Sequence, residues 1–129
     1  MFGLQIRYLS FFFGIVSILS FFNLIYSYYL NLYLNVDTYY FSLILSLIIS
    51  ILFYKVKTPE KKPSIYKKIL TVLLGYILIP LVLSIPFYFS IYDLTFINSF
   101  FESISGFTST GFTIFENIKH IDQSLILWR

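Results

Sequence analysis

Three long apolar stretches, each closed by a short polar break, make up most of this chain. The first covers residues 4–30 and is interrupted only by Gln5, Arg7, Asn23 and serines. It exceeds the ~20 residues that cross a ~30 Å hydrocarbon core, so it predicts a spanning helix. A secretory signal would put Arg7 in a charged leader, but the apolar run is longer than such a leader's core and no small-x-small cleavage pattern follows. Residues 31–38 form the first break, where Asp37 and Thr38 are expected to cap the next helix. Residues 39–54 predict a second span. The third covers residues 65–92 with no charge between Lys68 and Asp93. Gly75, Pro80 and Pro86 are expected to bend it, with a kink near Pro86, because proline removes a backbone donor and collides with the preceding turn. Small residues recur at helical spacing in the first two spans, as Ser10, Gly14 and Ser17 and as Ser42, Ser46 and Ser50. Such stripes let helices approach closely and are read as contact faces.

Residues 95–113 depart from this pattern. Residues 95–105 predict a helix of about 11 residues, about 16 Å long, which reaches only half-way through a bilayer. Gly106 and the run Thr108-Ser109-Thr110-Gly111-Phe112-Thr113 follow, rich in small hydroxyl residues and glycine. Backbone of that kind survives at membrane depth only where it lines a watery or ionic path. The segment is therefore read as re-entrant. A helix C-terminus aimed at mid-membrane offers partial negative charge, and successive carbonyls can replace the hydration shell of a cation. Asn98, Glu102 and Ser105 form a polar stripe on this helix. Glu102, the sole carboxylate in the segment, either faces the ion path or anchors the filter turn by bonding its backbone. Residues 114–122 read as a wet loop, and Asp122 is expected to cap a helix beginning at Gln123.

Composition supports a fully membrane-embedded, all-α protein: 58% of the 129 residues are hydrophobic and 12% charged. The net charge of +3 is less informative than its distribution. Lys55, Lys57, Lys61, Lys62, Lys67 and Lys68 crowd one loop against Glu60, where Pro59 and Pro63 oppose regular helix. Loop lysines set topology without any nucleic-acid or lipid partner, so loop 55–68 and the N-terminus are expected inside and the filter segment outside. The absence of cysteine removes disulfides, thiolate metal sites and a cysteine nucleophile. His120 is the single histidine, hence an exposed loop residue rather than a metal ligand. No nucleotide-binding glycine loop, catalytic triad or zinc spacing is present, which argues against an enzyme. Alanine is absent altogether, a sign of biased base composition, so the 22% aromatic content is not read as function.

The run Phe100-Phe101-Glu102-Ser103-Ile104-Ser105-Gly106-Phe107-Thr108-Ser109-Thr110-Gly111 resembles the first pore segment of the TrkH/KtrB-type (Trk/Ktr) potassium uptake subunits. In that family Phe-Phe-Glu is followed after two residues by Ser-Gly, an apolar residue and Thr-Thr-Thr-Gly. Ile85-Pro86-Phe87 and residues 124–129 resemble the flanking pore helices. Ser109 stands where threonine is usual, and Phe112 where a small residue is usual, which bears on packing behind the filter. The resemblance implies that Thr108, Ser109, Thr110, Gly111 and Phe112 bind potassium through backbone carbonyls. It implies that Glu102, Ser105 and Gly106 support them, and that potassium is transported substrate with no cofactor. Residues 1–62 become an accessory two-helix hairpin with its basic loop, and residues 63–129 a pore repeat cut before its closing helix. Further implications are the remaining repeats of the same transporter around one filter, a homodimer, a cytosolic nucleotide-binding regulatory subunit, and a bacterial inner membrane. Two other readings stay open. A small membrane interaction protein would use the polar segment only for packing. A self-tetramerising two-span channel would need a full span after the filter, which the final ~18 residues do not supply.

Overall fold

The computed structural model describes residues 6–56, 64–116 and 118–129. Lys57, Pro59, Glu60, Lys61, Lys62 and Pro63 of the basic loop lie outside the described residues, as do Gln5 and Asn117. The described chain is all-α: α1 Ile6–Tyr29, α2 Val36–Lys55, α3 Ile65–Leu83, α4 Ile85–Tyr88, α5 Phe96–Phe107 and α6 Gln123–Trp128, with a 3-10 turn at Ile118–His120. Three helical stretches are long and apolar enough to cross a membrane: Arg7–Tyr29, Val36–Lys55 and Ile65–Tyr88.

Two boundaries differ from the sequence reading. The second span begins at Val36, not Tyr39, and Asn35 rather than Asp37 or Thr38 occupies its N-cap position. Thr38 instead turns its hydroxyl back to the Asn35 carbonyl at 2.7 Å. Asp37 lies inside the first turn, where a negative side chain complements the positive end of the helix. The third span breaks at Ser84 rather than bending near Pro86. A helix continued through Pro86 would drive its ring into the Val82 carbonyl. Restarting at Ile85 puts Pro86 in a first turn, where its missing N–H has no intrahelical partner to lose.

α1 and α2 form a hairpin packed through their small residues. Ser50 Oγ donates to the Ser10 carbonyl at 2.8 Å, and a Cβ on Gly14 would lie 3.5 Å from Ser50 Oγ. Ser17, Ser42 and Ser46 are buried in the same seam. One hydrophobic cluster joins Leu9, Phe13 and Val16 of α1 to Ile79 and Val82 of α3, with Phe53, Phe107 and Trp128 against it. A second, of Leu24, Val36 and Tyr39, closes the turn end of the hairpin and also touches Trp128. Most other large apolar side chains point outward, such as Phe11, Phe22, Ile44 and Leu73, as lipid-facing helices require.

The polar segment doubles back on α3. Tyr88 meets Phe96 where α5 begins, with ring centroids 6.3 Å apart, and Tyr76 meets Phe107 where it ends, at 5.6 Å. Tyr76 is midway along the span Ile65–Tyr88, so α5 stops at mid-span. The chain then returns to the end it came from, where Phe115 packs on Tyr92 at 6.0 Å.

Candidate functional site

Thr95 Oγ1 accepts from the Asn98 amide at 3.3 Å and starts α5 as an N-cap should. Its far end closes in a Schellman arrangement: the Thr110 amide donates to the Ser105 carbonyl and the Ser109 amide to the Gly106 carbonyl, both at 3.1 Å. Ser109 occupies the left-handed position, with φ 56°. Serine there costs about 1–2 kcal/mol that glycine would not. Thr108 Oγ1 takes the Ile104 carbonyl at 2.7 Å, while Thr110 Oγ1 lies 3.3 Å from the Ser105 carbonyl and 3.2 Å from Ser105 Oγ. The carbonyls at the helix C-terminus are thus consumed locally.

The turn beyond the helix is different. Among the described residues, the carbonyls of Thr108, Ser109, Thr110 and Gly111 accept no hydrogen bond. All four residues are exposed in this chain. Gly111 has φ 78° and nothing within 4 Å of where a Cβ would sit, so its backbone conformation, not crowding, calls for glycine. The Phe112 carbonyl is engaged, accepting from Ser105 Oγ and from Arg129 Nη2. The Phe112 side chain is 70% exposed.

Glu102 is wholly buried one and a half turns up α5. Its Oε1 accepts from Thr113 Oγ1 at 2.7 Å and from the Ile114 amide at 2.6 Å. Oε2 lies 3.0 Å from Arg129 Nε, an ion pair out of line for a hydrogen bond. The carboxylate therefore holds the segment returning from the turn and neutralises the guanidinium that holds Phe112. Gly106 lets the Arg129 backbone lie against α5, since a Cβ there would collide with the Arg129 carbonyl oxygen. Ser103 Oγ ties α5 to α3 by donating to the Pro80 carbonyl at 2.8 Å. Asn98 of the expected polar stripe is half-buried near the start of α5, one turn before Glu102.

Sequence reasoning singled out Glu102, Ser105, Gly106 and residues 108–112, and the fold brings these together. It missed Arg129, read only as part of a helix start. It also missed a polar contact between the hairpin and α6. Asn35 Nδ2 donates to Asp122 Oδ2 at 2.9 Å, the Tyr39 hydroxyl pairs with Ser124 Oγ at 2.9 Å, and Asn23 Nδ2 donates to the Ser124 carbonyl at 3.1 Å. Asp122 caps α6 as expected, its Oδ1 accepting from the Ser124 amide at 3.0 Å. His120 is exposed, its carbonyl accepting from the Tyr92 hydroxyl at 3.3 Å. No group of acidic, histidine or cysteine side chains among the described residues is arranged to hold a metal ion.

Over 118 residues, 90% of its length, the chain is 28% identical to an uncharacterized cation transporter of Methanocaldococcus jannaschii. It spans only 25% of that relative's length. No family model and no solved structure matches the chain.

Proposed function

We propose that this chain is part of a cation uptake transporter and supplies one quarter of a potassium selectivity filter, with Thr108, Ser109, Thr110 and Gly111 presenting backbone carbonyls to the ion. The observation that carries this reading is the mid-span turn whose four successive carbonyls accept no hydrogen bond among the described residues. Unpaired carbonyls at membrane depth are costly unless an ion or water takes the place of a donor. The Phe112 carbonyl, held by Ser105 and Arg129, marks the end of the ion-facing run. Similarity to a protein named as a cation transporter agrees with this chemistry. One segment is a quarter of a cage, so further repeats complete it. A second copy of the transporter and a cytosolic nucleotide-binding subunit belong to the same proposal, as does a cell membrane with the basic loop inside.

The test is ion discrimination in the assembled transporter that carries this segment, measured as potassium uptake with sodium as competitor. Gly111→Ser forces a Cβ onto a left-handed backbone, at about 1–3 kcal/mol of strain, or rotates a carbonyl off the ion. Discrimination should fall before transport does. Thr110→Ser keeps the hydroxyl that Ser105 meets and should be mild. Unchanged discrimination in Gly111→Ser together with its loss in Thr110→Ser would sink the carbonyl-filter assignment.

A further inference from the structure

α6 has six residues, too few to be stable alone, yet it carries Arg129 to the filter turn. What holds its start comes from the α1–α2 hairpin. Asn35, 1% exposed, and Tyr39, 0% exposed, grip Asp122 and Ser124 at its start, and Asn23 adds a third bond from α1. The far end of α6 is fixed by Trp128 Nε1 on the Leu83 carbonyl at 2.9 Å and by Arg129 on Glu102 and Phe112.

The hairpin's polar face is poorly suited to hairpin packing. Asn23 Oδ1, Ser27 Oγ, Asn35 Oδ1 and Ser42 Oγ are buried with no partner among the described residues. Apolar side chains of the same shape would pack α1 on α2 without leaving oxygens bare. What Asn35 and Tyr39 supply is direction, because hydrogen bonds fix the height and rotation of a short helix within narrow limits of distance and angle. Through that helix they set where the guanidinium meets the Phe112 carbonyl. We infer that Asn35 and Tyr39 are positioning residues for the filter, acting across the hairpin interface through α6 and Arg129. The inference rests on the filter reading of residues 108–112.

Amide exchange of the full chain in lipid nanodiscs tests it. Tyr39→Phe removes one oxygen and keeps the ring that packs on Trp128 at 5.7 Å. Loss of that bond should speed exchange about fivefold or more over residues 108–116 and 123–129, while residues 40–54 change less than about twofold. Asn35→Leu should act in the same direction, and Ser124→Ala should add nothing to Tyr39→Phe. Ser42→Ala, on the same face but bonded to nothing in α6, is the control and should leave both segments unchanged. Unaltered exchange over residues 108–116 in Tyr39→Phe overturns the inference, as does an equal increase along the whole hairpin. If Asn35→Leu fails to insert, the Tyr39→Phe and Ser124→Ala pair decides alone. Potassium over sodium discrimination of Tyr39→Phe in the assembled transporter separates the two readings. Faster exchange with intact discrimination leaves the positioning in place and removes the filter. Unchanged exchange removes the positioning whatever the transport result.

Discussion

A single buried carboxylate organises the turn at the end of α5. Glu102 was legible in the sequence because a carboxylate inside an apolar half-span is rare and must find partners. Of the two roles open to it, ion-facing or anchoring, its contacts in this chain are those of an anchor: Thr113, the Ile114 amide and Arg129. Arg129 was not legible, since nothing near it in sequence signals which carbonyl its guanidinium will reach. Glu102→Gln keeps an acceptor for Thr113 and Ile114 but leaves Arg129 without a counter-charge. Breaking a buried pair costs about 3–5 kcal/mol, and the partly exposed arginine, at 22%, places this one toward the lower end. The expected outcome is a clearly lower thermal unfolding midpoint in detergent, and a variant as stable as the parent would show that the pair contributes nothing.

Among the elements, those with strong local signals matched the sequence reading closely. α6 begins where Asp122 promises a cap, and the small-residue stripes do form the α1–α2 seam. The signals that failed were ambiguous in kind. Asp37 and Thr38 suit a first helical turn as well as a cap, and Pro86 allowed either a kink or a restart. The seam gives a sharp contrast. Gly14→Ala should be tolerated, because the new Cβ would sit at ordinary contact distance, 3.5 Å, from Ser50 Oγ. Gly14→Leu should wedge the helices apart, read as loss of disulfide formation between cysteines placed at Ser10 and Ser50 in this cysteine-free chain. Equal cross-linking in both variants would mean that the seam is not where α1 and α2 meet.

At the scale of the whole molecule, most of the described basic side chains gather at one end. Arg7 stacks over Tyr54 at 4.9 Å beside Lys55, at the end where α3 starts with Lys67 and Lys68, whereas Asp37, Asp93 and Asp122 sit at the other. The positive-inside rule predicts that the basic end faces the cytoplasm. With Lys68→Cys and Glu116→Cys as single labels, an impermeant thiol reagent on intact cells should reach only the second. Labelling of Lys68→Cys alone would invert the topology. The three spans were readable from hydropathy, but the hairpin's grip on α6 was not, because it joins residues 85 to 101 positions apart that share no pattern. That separation has a consequence in time. A ribosome adds about 5–20 residues per second, so Asn35 enters the bilayer some 4–17 s before the Asp122 that receives its amide. For that interval Asn23, Asn35 and Tyr39 lie in an inserted hairpin without their final partners. The newborn hairpin is therefore a sticky intermediate, open to any neighbouring helix with a polar face until its own chain arrives to claim it.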